Sequence, residues 1–381
     1  MFAMGEKHAL VLGGSVAGLL AARVLADFFD RVVVAERDAL PSTISNRRGV
    51  PQDRHVHLLW SRGSSILEDL FPGFTDELIR AGAPRFDGDL SKVYLNNGGH
   101  PLPASGCFDD FQFVLPSRPL LEGCVRQRVR RINNIELRDA HDIVELVTDR
   151  DHISGAVLRR RDREAVVDGA DEIVEADLVV DAMGRAGRTP ALLDSLGYGR
   201  PVEDSLDVRL MYSSFPVRIP PGALRELAVV IGPVPGRPTG MALFANEDNT
   251  WMFTVSGLAG VEPPKGLSEM LAFIEKFAPM HVVAALRRSE VIGEGAQHRM
   301  PATRWRRYDK MKRWPTGLLA IGDAICSLNP IYAQGMTVAA MEAELLQQCL
   351  RQGSGALPPC SGHGICGYAA SGSVAGVRFL S

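Results

Sequence analysis

The run Gly13-Gly14-Ser15-Val16-Ala17-Gly18 lies between an apolar stretch at 8–12 and an Ala/Leu-rich stretch at 19–29. These are the residue types that seat a pyrophosphate. Glycine at 13 supplies a tight turn, glycine at 18 lets a helix close on a strand, and amide groups at the helix start face the anion. Ser15 stands where the second glycine of a G-x-G-x-x-G pattern is usual. It is tolerated if its hydroxyl points away from a phosphate or bonds to one. Glu36, after the β-branched run at 31–35, is spaced to accept the hydroxyls of a ribose. Gly14, Ser15, Ala17 and Arg37 complete this first candidate set, which predicts dinucleotide binding.

Two later segments carry acids at strand ends. In the first, 176–185, Asp181 closes an apolar run just before Gly184, an arrangement that also suits a plain surface turn. In the second, 318–324, an apolar run ends in Gly322-Asp323 and is followed by Asn329-Pro330 and by Gly335-Met336 at the start of a helical stretch. An aspartate there can bind a ribitol hydroxyl, and the helix start offers positive dipole to an anionic ring. Between the first helix and 58–70 lies a polar loop with Arg48, Gln52, His55 and His57. The two histidines have the spacing of a metal pair, but no third ligand accompanies them, so no metal site is expected.

The elements that must position these residues follow from the apolar pattern. Short buried strands at 8–12, 31–35, 176–182 and 317–321 indicate a parallel sheet assembled from distant parts of the chain. Helices are expected at 19–29, 58–70, 117–131, with Ser117 as N-cap, and 337–350. Alternating stretches at 83–115 and 206–258 predict a second, largely antiparallel sheet. The fold class is therefore α/β, with a Rossmann-like nucleotide domain and an inserted antiparallel substrate domain. The boundaries drawn are 1–82, 117–204 and 299–353 for the nucleotide domain and 83–116 and 205–298 for the substrate domain. A Gly/Ser/Ala/Cys-rich tail at 354–381 reads as disordered, or as a truncated or altered reading frame.

A net charge of -3 over 381 residues gives no field for nucleic acid or an anionic membrane, and the basic runs 126–131 and 159–161 read as solvated faces. Six cysteines without a Cys-x-x-Cys pair fit a reduced cytoplasmic protein. No unbroken apolar stretch of about 18 residues predicts a membrane span.

The three motifs, in this order, resemble the group A flavoprotein monooxygenases, the fold of para-hydroxybenzoate hydroxylase. The resemblance runs from residue 8 to about 350. It implies that Gly13, Gly18 and Glu36 bind the ADP part of FAD, that Asp181 and Gly184 touch FAD and help with NAD(P)H, and that Gly322 and Asp323 bind the ribitol. Here the usual Asp-Gly pair is Asp181-Ala182, with glycine displaced to 184. Arg48-Gly49-Val50-Pro51-Gln52 with His55, His57 and Trp60, and the stretch 325–332 containing Pro330, look like bacterial epoxidases of polyether polyketide (lasalocid-type) polyenes. That branch implies Arg48 and Gln52 near the flavin and Arg118 on its phosphates or ribityl chain.

The activity so implied is transfer of oxygen from O2 through a flavin C4a-hydroperoxide, with FAD as cofactor, NAD(P)H as electron donor and a small apolar acceptor. No catalytic acid or base is assigned, because the cofactor makes the difficult bonds. Phe113, Met211, Tyr212, Phe244, Trp251 and Phe253 are expected to wall the acceptor pocket, with ordinary core packing as the alternative for each. Two other readings stay open: a flavin-dependent reductase or dehydrogenase of a prenyl-type substrate, and a flavin-binding protein without turnover. A flavin halogenase shares the fold, but the chain has no Trp-x-Trp-x-Ile-Pro segment; Trp305 and Trp314 stand in other contexts.

Overall fold

The computed structural model describes residues 6–47, 49–108, 112–161 and 170–352. Arg48 and the tail at 354–381 lie outside the described residues.

Five short strands form a parallel sheet in the spatial order Leu318–Ala320, Leu178–Asp181, His8–Leu12, Arg31–Ala35 and Ile135–Arg138. Most of their residues are buried because helices cover the sheet, which is why the strands are continuous apolar runs and not alternating ones. The first helix, Val16–Leu25, packs against Gly335–Arg351 and Arg118–Arg130, and Ser61–Leu70 packs on Gly335–Arg351. Ser117 caps its helix as expected, its Oγ accepting from Leu120 N at 3.3 Å. With the first strand central and later strands added on both sides, the order reverses between His8–Leu12 and Leu178–Asp181. Such a reversal opens a crevice at the carboxyl ends of the strands. Gly13, Glu36, Asp181 and Gly322 all stand at those ends.

Two antiparallel sheets complete the fold. His141–Asp149, His152–Arg160 and Asp171–Glu175 make a three-stranded meander, which the sequence reading did not separate from the nucleotide domain. The second is nine-stranded and centred on the long strands Val202–Arg218 and Ala296–Arg307. It is antiparallel apart from the pairing of Val93–Asn97 with Ala228–Ile231. Cys326–Ser327, from the loop after Asp323, pairs with Arg304 and Trp305 and so joins this sheet to the nucleotide domain.

The large sheet has two different faces. Val217, Val229, Leu243, Phe253 and Val255 are buried in a core shared with the helices Leu267–Ile274 and Met280–Arg287. The opposite face contributes Ala228 and Phe244 to a cluster with Phe86, Leu90, Phe113 and Leu115. The fold is thus α/β, a Rossmann-like domain with a largely antiparallel sheet beside it. Among the described residues no helix is long and apolar enough to cross a membrane.

Candidate cofactor and substrate site

The fingerprint glycines are required by close contacts. Gly13 has φ +112°, and a Cβ there would lie 2.5 Å from the Ala182 carbonyl oxygen; a Cβ on Gly18 would lie 1.8 Å from that of Gly13. Gly14 N donates to Glu36 Oε2 at 2.7 Å, and Asp38 N donates to Glu36 Oε1 at 2.9 Å. The carboxylate at the end of the second strand is therefore held against the turn.

The Ser15 hydroxyl engages side chains. Its Oγ donates to Glu122 Oε2 at 2.9 Å and accepts from Arg118 Nη2 at 3.0 Å. Glu122, 2% exposed, also receives Arg118 Nη2 at 2.8 Å and Arg47 Nη1 at 2.6 Å, with Arg126 3.5 Å away. Arg47 reaches on to Glu36 at 3.2 Å and to the Gly14 carbonyl at 3.1 Å. Burial opposes ionisation of Glu122, but Arg118 and Arg47 outweigh it and hold the carboxyl below its ordinary range. Asp53 lies in the same cluster; burial, opposed by Arg118, pushes its carboxyl up to about 6. Asp53 Oδ1 and Arg118 Nε are 3.9 Å apart, and among the described residues neither makes a hydrogen bond.

At the second strand end Asp181 is fully buried, its Oδ1 accepting from Met183 N at 2.9 Å. Burial, opposed by contacts including the Met183 amide and Arg306, raises its carboxyl above the ordinary range. Gly184 at φ +71° follows, and a Cβ on it would lie 3.9 Å from Asp323 Cβ. The third strand end bends at Gly322, φ +63°, where a Cβ would lie 3.0 Å from that of Ala17. The three motifs thus meet in one place. Asp323 is open at its own surface yet deep among protein atoms, with Arg118, Arg185 and Arg306 all offsetting the effect of burial, as on the wall of a cleft. Pro330 is exposed in the turn Pro330–Tyr332, while Met336 is buried at the helix start. A Cβ on Gly335 would meet nothing within 4 Å, so open space lies beside the N-terminus of a 17-residue helix.

Two supports under these loops were not foreseen. Glu342 Oε2 accepts from Gly322 N at 2.5 Å, and burial, with Gly322 opposing and Asp323 adding, pushes its carboxyl up to about 8. Arg306, 3% exposed, donates to the carbonyls of Arg185 at 2.7 Å and Ala324 at 3.0 Å, tying the second and third loops together. A glutamate twenty residues past a glycine gives no local signal, and neither does one arginine in a basic strand.

Other expectations divide. Arg118 is buried in the cluster, and Gln52 is half-buried in the adjoining turn Pro51–Arg54. Arg37 turns to the surface and pairs with Asp142 at 3.0 Å, so it does not join the site. The basic run 126–131 is only partly a solvated face, since Arg126 is 3% exposed beside Glu122. Of the six pocket residues, Tyr212, Phe244 and Phe113 lie on the nucleotide-domain side of the large sheet. Phe253 and Trp251 pack with the covering helices, and Met211 shares their face by alternation. Side chains of a strand alternate between faces, so neighbours such as Met211 and Tyr212 cannot both wall one pocket. His55 bonds Ser214 through Nδ1 at 2.7 Å, and no group of metal-binding side chains occurs among the described residues.

The arrangement suits a long anionic dinucleotide. A glycine turn under a helix start, a carboxylate at the end of the second strand, an unspent buried Arg118 Nε, an open aspartate and a second open helix start lie along one crevice.

No protein-family profile matches the chain. Among solved structures, a triple mutant of the flavin-dependent brominase Bmp2 aligns with TM-score 0.68 and 15% identity, covering 92% of this chain and 82% of the brominase. PqsL, a probable FAD-dependent monooxygenase from Pseudomonas aeruginosa, aligns with TM-score 0.67 and 18% identity over 96% of this chain and 92% of its own. These likenesses establish a shared fold. In sequence, Protein Rv3254 of Mycobacterium tuberculosis is 40% identical over 363 residues, spanning 92% of this chain and 74% of the relative. The chain belongs to the family of Protein Rv3254.

Proposed function

We propose that the chain binds FAD and acts as a monooxygenase, using NAD(P)H and O2 to epoxidise or hydroxylate an apolar polyketide- or terpenoid-like acceptor. The observation that supports this is the convergence of three separate strand-end motifs on one crevice, where Gly322 abuts Ala17 and Gly184 abuts Asp323. The flavoenzymes that share the fold agree with it.

When bound, FAD supplies the activation of O2, chemistry that no side chain provides. The chain's own residues have simpler tasks. The helix start after Gly13 and Arg118 hold the pyrophosphate, Glu36 orients the ribose, and Asp323 holds the ribityl chain. The amides that open the helix at Gly335 would offer partial positive charge to an anionic flavin ring. Gly184 and Asp181 shape the floor between the two loops, and Arg306 fixes that floor. Phe113 and Phe244 exclude water from the acceptor side.

The brominase likeness is one of fold. Trp305 stacks under the Arg307 guanidinium at 3.9 Å and Trp314 Nε1 donates to the Leu318 carbonyl at 3.0 Å, so both tryptophans have structural duties. The test is turnover of a linear polyene with NADPH or NADH under labelled O2. Label in an epoxide or alcohol product is expected. Reduction of the polyene without O2 points to a reductase, and hydrogen peroxide as the sole product overturns oxygen transfer.

A further inference from the structure

The nucleotide-domain face of the large sheet is not uniformly apolar. Leu210, Tyr212 and Ser214 alternate onto one face, and register places His298 beside Tyr212 and Thr254 beside Ser214. His55 descends on them from the loop after the turn Pro51–Arg54. Its Nδ1 bonds Ser214 Oγ at 2.7 Å, and Ser214 Oγ bonds Thr254 Oγ1 at 2.6 Å. The Tyr212 ring stands edge-on to His55 with centroids 4.4 Å apart and lies 5.3 Å from the His298 ring; the two histidine rings are 6.0 Å apart.

Apart from His55 Nδ1, the hydrogen-bonding capacity of this trio is unspent. Among the described residues Tyr212 Oη, His55 Nε2 and both ring nitrogens of His298 have no hydrogen-bond partner, and none is sealed from solvent. Reachable by solvent, these atoms can bond a ligand without first breaking a protein hydrogen bond. Charging of all three groups is opposed. Burial, with His298, His57 and Arg54 adding, pushes His55 down to about 3; burial and Arg185 lower His298; burial raises Tyr212. The trio is neutral at neutral pH. A neutral imidazole offers one donor and one acceptor, and a phenol offers both.

We infer that the Tyr212–His298–His55 trio is a hydroxyl-binding subsite, so that the acceptor is an apolar molecule bearing a free alcohol. A hydroxyl can accept from one member and donate to another, whereas a carbonyl or ether only accepts and leaves an acceptor nitrogen unpaired. A carboxylate finds no cation in the trio. Ser214 and Thr254 are positioning residues that fix the His55 ring. The inference deepens the proposed function and rests on its apolar acceptor, but not on turnover.

The test is ligand-observed NMR on the protein as purified, with geraniol, geranyl methyl ether and myrcene as probes that differ in the polar group. Geraniol is expected to bind about 2–10-fold more tightly than either of the others, the range of one net neutral hydrogen bond. Tyr212→Phe and His298→Leu are each expected to reduce that preference while leaving myrcene binding in place. Equal binding of the three probes, binding of none, or an unchanged preference in both variants overturns the subsite. Flavin content and labelled-oxygen transfer are measured separately, so loss of the monooxygenase reading is told apart from loss of the hydroxyl preference.

Discussion

Replacement of Glu342 by Gln isolates one buried acid whose ionisation opposes folding. The carboxyl accepts the Gly322 amide at 2.5 Å and is raised from 4.5 to about 8, first by burial and then by Asp323, with Gly322 opposing. A raised folded-state value means that the folded chain holds a proton that the unfolded chain has released. Folding is then most favoured below the ordinary carboxylate range, and stability is lost as pH rises from there through about 8. At about 1.4 kcal/mol per pH unit, that interval amounts to about 5 kcal/mol. A glutamine retains an acceptor for the Gly322 amide but cannot ionise. Unfolding entropy of about 0.8 kcal/mol/K for a chain of this length converts 5 kcal/mol into roughly 6 °C. Melting temperatures of both proteins, read at about pH 5 and about pH 9, test the difference. Glu342→Gln should match the parent in acid and exceed it by several degrees in alkali. Parallel curves across that range would refute the buried-acid argument.

Asp323→Ala and Glu36→Ala should each be purified with much less FAD, read as flavin released on denaturation; full retention in both overturns the ribityl and ribose assignments. Gly13→Ala forces a side chain into φ +112° and against the Ala182 carbonyl. That costs at least about 1–3 kcal/mol in backbone strain, visible as a lower melting temperature and weaker FAD binding. Glu122→Leu strands Arg47 and Arg118 without their shared counter-charge and should destabilise the fold by about 3–5 kcal/mol in denaturant titration, with Glu122→Gln losing less. Indifference of the fold to Glu122→Leu would mean that the cluster is relieved by water.

The nucleotide domain was legible where covalent geometry leaves few choices. A glycine that must sit against another backbone, as Gly13 and Gly18 do, announces itself, and so do short apolar runs that end in an acid. The strands at His8–Leu12 and Arg31–Ala35 fall where the pattern placed them. Contacts across the fold were less visible. Glu122 follows Arg118 by one helical turn but was hidden beside a basic run, and its partner Arg47 was passed over for its neighbour Arg48. The six residues expected at the pocket wall divide between two faces, because hydrophobicity alone does not say which face of a strand meets the site. Tyr212 and Phe244 face the nucleotide domain, while Phe253 faces the helices. The polar trio escaped notice because it joins residues 55, 212 and 298, which only the fold brings together.

The most direct test of the central claim is the flavin content of the purified protein, from its visible absorbance and from the identity and amount of nucleotide released on denaturation. The oxidised-flavin spectrum and FAD in equal proportion to chain are expected. A colourless protein that takes up neither added FAD nor any other flavin would contradict the claim and return the crevice to a nicotinamide nucleotide.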